Sequence, residues 1–298
     1  MSIKQISLLI TILLLASCGS TKQVVNTSEG ATPKTEEQIN TTEIEPDTEP
    51  TIEQTEEKEI VAEPVNPNSE EIITETIEIP EEPIENISHN SWNELLQKHV
   101  SVNGNVNYKG FKSDSVKFYA YIEHLQNNAP NNLWTRNDKL AYWINAYNAF
   151  TIDLILRNYP LQSIKDIKEP WDQRLWKIDS KWYTLNDIEH QILRKMDEPR
   201  IHFAIVCASV SCPKLKNTAF TAFDLETQLT VATKEFLSDT SKNELSVNNI
   251  KLSKIFKWFA KDFKTNGSMI DFLNQNSDIK ISDKAKKSYL DYNWDLND

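Results

Sequence analysis

The strongest helical periodicity in the chain covers residues 138–158. Steps of 100° per residue place apolar side chains on a wide face and on most of the opposite side. Only Ala146, Asp153 and Arg157 leave a narrow strip suited to solvent, and the spacing of Asp153 and Arg157 favours an ion pair. Asn137-Asp138 is expected to cap the helix and Tyr159-Pro160 to end it. The pattern predicts a helix at the centre of a core.

Shorter segments on both sides carry alternating helix and hairpin signals. Helices are predicted from Ser91, over 115–126, 186–196 and 225–237, and after Ser253, with hairpins at 176–183 and 245–252. The continuous apolar run over 200–208 predicts a buried strand. Because helices outnumber strands, we expect an α+β fold: a mostly helical single domain, 89–298, around a small antiparallel or mixed sheet.

The first twenty residues have the pattern of an export signal. Lys4 precedes an apolar stretch from Leu8 to Ala16, which is too short for a bilayer span of about 20 residues. The stretch ends in Leu-Ala-Ser-Cys at Cys18, which resembles the bacterial lipobox. We therefore expect residues 1–17 to be a lipoprotein signal peptide and Cys18 to carry acyl chains such as palmitate. The alternative is an ordinary signal peptide with an incidental cysteine.

Residues 18–88 differ sharply in composition from the rest of the chain. They carry 19 acidic and 3 basic residues and no aromatic one, a net charge of −16. Because the whole chain has a net charge of −12 and Lys4 adds one positive charge, residues 89–298 carry about +3. So much charge with so little apolar area predicts a disordered stalk. The near-neutral remainder shows no basic stripe, so nucleic acid is not an expected partner.

Two polar residues fall within apolar surroundings of predicted elements. Glu189 lies in the apolar arc of its helix, whereas His190 lies outside that arc. A carboxylate that faces a core needs a partner, so Glu189 is either salt-bridged, for example to Arg194 or Arg200, or functional. His202 lies in the predicted strand. It is either a core histidine that makes a structural hydrogen bond or a catalytic base.

Cys207 and Cys212 are the cysteines that remain if Cys18 is acylated. In an exported domain they are a candidate disulfide, and a reactive thiol at Cys207 is the alternative. On a regular strand Cys207 and His202 would point to opposite faces, so a dyad would require a bulge or an end near Val206. The spacing of these histidines and cysteines fits no compact zinc pattern, and we expect neither metal nor cofactor.

The central helix supplies further candidates for contacts with a substrate. Asn145 and Asn148 are amides in an apolar setting, where they must find partners. They either tie the helix to nearby backbone or line a pocket as oxyanion donors. Trp143 on the same helix is a candidate substrate contact.

Four segments together resemble a known family. They are LAYWINAYNA at 140–149, LNDIEHQILR at 185–194, RIHFAIVCASVSCP at 200–213 and LDYNWDLN at 290–297. In this order they resemble the domain of unknown function 547 family over about residues 92–297. The resemblance implies that Asn145, Asn148, Glu189, His190, His202, Cys207 and Cys212 belong to its signature segments, and it implies no activity. A distant similarity to papain- or transglutaminase-like thiol enzymes would require a permuted site, because Glu189 and His202 precede Cys207.

Two functions fit these observations. The first is a bacterial envelope lipoprotein, on the periplasmic or cell-surface side, whose domain binds or scaffolds a peptide, a protein or another envelope component without catalysis. The second is a thiol hydrolase or acyltransferase acting on peptide or amide bonds. In it Cys207 is the nucleophile, His202 or His190 the base, and Glu189 the group that orients the imidazole. An imidazole within hydrogen-bond reach of Cys207 in a cleft would favour the enzyme.

Overall fold

The computed structural model describes residues 86–298, which fall within one compact unit. The predicted signal peptide, Cys18 and almost all of the predicted stalk lie outside the described residues. Among residues 86–298, no helix is long and apolar enough to cross a membrane.

Seven α-helices and five short strands make up the regular structure of the described residues. The helices are α1 Asn90–His99, α2 Tyr108–Ser113, α3 Ser115–Asn127, α4 Arg136–Asn158, α5 Leu225–Ser238, α6 Ile255–Trp258 and α7 Met269–Asn276. The strands are β1 Trp176–Ile178, β2 Lys181–Tyr183, β3 Glu244–Leu245, β4 Asn249–Leu252 and β5 Lys286–Tyr289. The fold is therefore α+β and mostly helical, as the sequence predicts.

The two sheets are small, and one of them is mixed. Strands β1 and β2 form an antiparallel hairpin whose register pairs Ile178 with Lys181. Strand β4 pairs antiparallel with β3 and parallel with β5. Both predicted hairpins are confirmed, whereas β5 lacks an apolar alternation and was not predicted.

Helix α4 is central, and it is buried on every side over residues 140–156. Its cap is Thr135, whose hydroxyl and the Asp138 carboxylate form a capping box; the expected cap at Asn137-Asp138 is therefore wrong by two residues. The Arg157–Asp153 ion pair is confirmed at 2.8 Å. The expected solvent-facing strip is wrong at Ala146 and at Asp153, which are both fully buried. The indole of Trp176 on β1 donates a 2.7 Å hydrogen bond to the Asp153 carboxylate.

The predicted strand over 200–208 is also wrong. Pro199–Phe203 forms a 3₁₀ turn, and residues 204–208 continue as irregular chain. Pro at the first turn favours helical backbone, and Asn148 of α4 takes up the hydrogen bonds that a strand partner would otherwise satisfy. Its amide donates to the Ala204 carbonyl at 2.9 Å and accepts from the Val206 N–H at 3.0 Å. A buried apolar run alone does not distinguish a strand from other buried chain.

Two hydrophobic clusters meet at this irregular segment. The larger surrounds α4 and takes in α1–α3, the β1–β2 hairpin and residues 204–208. The smaller joins Phe203 to the second half of α5, the mixed sheet, α6 and α7. The chain between Phe203 and Pro213 therefore runs along the boundary between the two clusters.

Candidate functional site

A cavity of about 200 Å³ opens beside the 204–213 segment. Its aromatic wall consists of residues far apart in the chain: Trp171, Trp258, Phe259, Tyr292 and Trp294. Its polar wall consists of Tyr147, Glu189, His190, His202, Cys207 and Cys212. The two walls are contiguous, because the His202 ring stacks on Phe259 with ring centroids 4.0 Å apart and Tyr292 contacts both cysteines. Five of the candidate residues predicted from the sequence therefore line one cavity.

The cysteines lie at the two ends of a tight loop. Between them Ala208 has a φ of 56°, a left-handed conformation that is uncommon for a residue with a side chain. The C-terminal segment fixes the loop, because the Val210 N–H donates to the Asp295 carbonyl at 2.9 Å and the Ser211 N–H donates to the Asn293 carbonyl at 3.2 Å. These bonds hold a strained backbone in one conformation.

Both sulfurs are free thiols in a shared network of hydrogen-bond donors. The Cys207 N–H donates to Cys212 Sγ at 2.9 Å. The Tyr292 hydroxyl lies 3.3 Å from Cys207 Sγ and 3.4 Å from Cys212 Sγ. The Ser209 hydroxyl lies 3.2 Å from Cys207 Sγ and 3.3 Å from the Tyr292 oxygen. One hydroxyl therefore links the two thiols.

The network shifts the pKa values of the two cysteines in opposite directions. Burial alone would raise the pKa of Cys212, but donors from Cys207 and Tyr292 outweigh it and lower this pKa to about 6. The hydrogen bond to Cys212, together with burial, raises the pKa of Cys207 above its usual value. The direction follows from geometry, since a backbone N–H can only donate and so favours the thiolate at Cys212.

Glu189 lies on an unusual helical turn. Asp187–Ile192 is π-helical and passes directly into a 3₁₀ turn, Leu193–Met196, where the sequence predicts one regular helix. Such π turns are frequent at functional sites. Burial raises the pKa of Glu189 to about 7, although the Tyr147 hydroxyl donates to its Oε2 at 3.0 Å.

The first alternative for Glu189, a salt bridge to Arg194 or Arg200, does not form within residues 86–298, because both bases are engaged elsewhere. Arg194 makes two hydrogen bonds to Asp262, with Nε–Oδ2 at 2.6 Å and Nη2–Oδ1 at 2.8 Å. Arg200 pairs with Glu198 and Glu226. Glu189 is left with a tyrosine hydroxyl and the cavity.

The two histidines belong to one ion-pair network. His202 Nε2 lies 2.8 Å from Asp262 Oδ2, and Arg194 Nη1 donates to His190 Nδ1 at 2.9 Å. Burial opposes ionisation of Asp262, but hydrogen bonds from Arg194 and His202 hold the pKa of Asp262 well below its usual range. Burial lowers the pKa of both histidines. Asp262, rather than Glu189, orients the His202 ring.

Comparison with known proteins bears on the central part of this site. Residues 131–237 match the family model described as "Protein of unknown function, DUF547". The chain carries a DUF547-like domain. No curated protein and no solved structure matches the chain.

The matched part of the DUF547-like domain contains all six residues of the polar wall of the cavity. It includes α4, the π turn and the cysteine loop. Four of the five aromatic-wall residues, all but Trp171, lie beyond residue 237. Asp262, which binds His202 and does not line the cavity, also lies beyond it. Residues outside the family match therefore complete the cavity.

The DUF547-like domain does not bring all predicted site residues together. Asn145 and Asn148 both bind backbone: Asn145 donates to the Phe220 carbonyl at 2.7 Å and accepts from its N–H at 3.0 Å. Trp143 packs on Tyr142 and Tyr183. None of these three residues lines the cavity.

The thiols and imidazoles of the DUF547-like domain line the same cavity without a hydrogen bond between them in residues 86–298. The nearest polar partners of Cys207 are hydroxyls, and that of His202 is a carboxylate. Nor do the described residues contain a group of three or more His, Cys, Asp or Glu side chains that could hold a metal ion.

Sequence reasoning missed the aromatic wall and three polar residues of this site, Tyr147, Tyr292 and Asp262. Tyr147 lies inside the first signature segment, where an aromatic residue on an apolar helix face predicts only core packing. Tyr292 lies inside the last signature segment, and that segment was a usable signal. Asp262 carries no local signal, because its partners Arg194 and His202 lie 68 and 60 residues away in the chain.

Proposed function

We propose that this chain is a bacterial lipoprotein, anchored to the envelope through Cys18, whose DUF547-like domain binds a ligand in the cavity between the cysteine loop and the aromatic wall. The observation that supports the proposal is a cavity with an aromatic wall, in which no thiol is hydrogen-bonded to an imidazole within residues 86–298. An aromatic pocket with a few convergent polar groups is a typical ligand site.

The size and lining of the cavity indicate which ligand group it can hold. A dry cavity of about 150 Å³ can hold benzene, so about 200 Å³ suits one ring or one apolar side chain, not a whole drug-sized molecule. His190 and His202 favour their neutral forms because burial lowers the pKa of each. We therefore propose an apolar or aromatic side chain of a peptide or protein as the group that enters.

A fragment titration tests the binding proposal. Indole and phenol are titrated into the reduced protein, and binding is followed by chemical-shift changes. Trp258 is 45% exposed and lines the cavity, so Trp258→Ala should weaken binding at least about tenfold, the loss of about 1.4 kcal/mol of aromatic contact. Trp182 on β2, which is 49% exposed and lies outside the cavity, provides the matched control Trp182→Ala. Equal affinity of the two variants would contradict the proposal.

The lipid anchor has a separate test. Cells that express the full chain are labelled with radioactive palmitate, and membranes are separated from soluble protein. Cys18→Ser should abolish the label and release the protein from the membrane fraction, because two or three acyl chains provide stable anchoring. The control Cys207→Ser should keep both properties. A labelled, membrane-bound Cys18→Ser variant would disprove this acylation site.

A second candidate function is a thiol-dependent hydrolase or acyltransferase. It is favoured by two groups in one cavity whose pKa values are shifted in opposite directions. The pKa of Cys212 is lowered and that of Glu189 is raised. Cys212 is then the nucleophile in place of Cys207, and the Glu189 carboxyl gives a proton to the leaving amine. Burst release of p-nitrophenolate from p-nitrophenyl acetate should be lost in Cys212→Ser and kept in Cys207→Ser. Equal bursts would exclude this candidate.

A further inference from the structure

The two cysteines share features that a structural pair of buried thiols does not need. Both line the same open cavity, and Tyr292 bridges both sulfurs. The loop between them is strained at Ala208 and hydrogen-bonded to the C-terminal segment. Cys212 Sγ has a fixed N–H donor, whereas Cys207 Sγ has hydroxyl partners, which can reverse direction.

We propose that Cys207 and Cys212 form a thiol–disulfide exchange pair, in which Cys212 attacks a disulfide that enters the cavity and Cys207 resolves the mixed disulfide. The co-reactant is a disulfide of a thiol compound or of a peptide. This activity goes beyond ligand binding, and it rests on the proposed function only in that the cavity must admit a ligand.

The chemistry balances in two displacements. The Cys212 thiolate forms a bond to one sulfur of the substrate disulfide, whose S–S bond breaks and releases the first thiolate. Cys207 then loses its proton to that thiolate and attacks Cys212 Sγ, which releases the second thiolate, protonated by water. The substrate gains two electrons and leaves as two thiols, while the protein dithiol is oxidised to a disulfide.

Each neighbouring group has a defined task in this sequence. The Cys207 N–H stabilises negative charge on Cys212 before the attack. The Tyr292 hydroxyl, within reach of both sulfurs, can donate to Cys212 first and to Cys207 when that sulfur becomes the nucleophile. Ser209 can accept from the Cys207 thiol or donate to its thiolate.

The test uses the full chain with Cys18→Ser, which leaves two cysteines, and oxidised glutathione as the probe. Intact-mass spectrometry at pH 6 should show loss of two hydrogens without a lasting glutathione adduct. The variant Cys207→Ser, which keeps a hydroxyl donor, should accumulate one glutathione on Cys212.

The variant Cys212→Ser should react severalfold more slowly at pH 6. Its remaining thiol, Cys207, lacks the fixed N–H donor that favours the thiolate at Cys212, so a smaller fraction of it is ionised. The lower basicity of the more acidic thiol reduces its nucleophilicity, but by less than ionisation increases its thiolate fraction.

A further pair of variants controls for misfolding. Tyr292→Phe keeps the ring against Trp258 and Trp294 but removes the bridging hydroxyl, and it should slow the trapping severalfold. Tyr289→Phe, on β5 outside the cavity, should leave the rate unchanged.

Three results would overturn the inference: a wild-type dithiol that oxidised glutathione does not oxidise, equal trapping rates in the two cysteine variants, or faster trapping on Cys207. Fragment binding is measured on the reduced protein without any disulfide. Exchange that fails while Trp258-dependent binding persists therefore rejects only this inference. Loss of Trp258-dependent binding with intact exchange rejects only the binding proposal.

Discussion

At the scale of single residues, Glu189 shows how burial changes chemistry. Its carboxyl is 7% exposed and hydrogen-bonded by Tyr147, and Arg194, Cys212 and Asp262 act on it at longer range. Because burial dominates, the pKa of Glu189 rises to about 7 in the folded protein. The folded state therefore holds the proton more tightly than the unfolded chain.

The contribution of Glu189 to stability should consequently fall as pH rises. This contribution is fully present below the unfolded pKa of about 4.5 and is lost as pH rises through about 7. The shift corresponds to on the order of 3 kcal/mol of unfolding free energy. Burial lowers the pKa of His190 and His202, which gives the opposite pH dependence, so the measurement is the difference between wild type and Glu189→Gln. In urea unfolding between pH 5 and pH 8, the unfolding free energy of the wild type should fall relative to that of Glu189→Gln as pH rises.

A control for this measurement lies on α3. Glu123 is exposed to solvent, so Glu123→Gln should reproduce the wild-type pH profile. If Glu189→Gln kept the full wild-type slope, the raised pKa of Glu189 would be disproved.

At the scale of elements, α4 positions the cysteine loop. Asn148 makes hydrogen bonds to the Ala204 carbonyl and to the Val206 N–H, two backbone groups that do not belong to a strand. Asn145 does the same for both backbone groups of Phe220. A buried helix can thus hold irregular chain through amide side chains, as a neighbouring strand would in a sheet.

Asn148→Ala should therefore be strongly destabilising. It leaves two buried backbone groups without partners, at about 1–3 kcal/mol each, so we expect a loss of about 2–6 kcal/mol in urea unfolding. The control is Asn158→Ala, which removes one bond to the Leu154 carbonyl within α4 and should cost about 1 kcal/mol or less. A loss at Asn148 no larger than at Asn158 would contradict this role.

Sequence pattern predicted those elements whose signal is local. The periodicity of α4, the turn of the β1–β2 hairpin and the amphipathic face of α5 are each encoded within a few residues, and all three form as predicted. The segment over 200–208 was mispredicted because its partner is a side chain of another helix. The π turn carrying Glu189 was likewise invisible, since Leu185, Ile188 and Ile192 also fit a regular helix.

At the scale of the whole molecule, the site is assembled from segments that are distant in the chain. Sequence reasoning selected five residues that line the cavity, because titratable groups in apolar runs stand out locally. It could not select Asp262, which joins the π-turn region to the second hydrophobic cluster through Arg194 and His202. Contacts over sixty residues or more leave no trace in local periodicity.

Because Asp262 joins segments that are distant in the chain, we expect its substitution to lower the stability of the protein considerably. Asp262→Asn removes the carboxylate that Arg194 and His202 share, and these partners are 28% and 2% exposed. Removing one partner from a half-buried network of this kind should lower the free energy of unfolding by about 2–3 kcal/mol, measured by thermal or urea unfolding. Asp291→Asn, at an exposed ion pair with Lys254, should cost less than about 0.5 kcal/mol. Similar losses at the two positions would refute the junction.

The tyrosine that bridges the two sulfurs lies 85 residues beyond Cys207 and 80 beyond Cys212. In an unfolded chain that hydroxyl and the Cys207 N–H are no longer held beside Cys212, whose acidity returns to that of an ordinary cysteine. The enhanced reactivity of Cys212 near pH 6 is thus a property of the native topology and not of the local sequence. Labelling of this one thiol at mildly acidic pH reports directly on the fraction of molecules that have completed the fold.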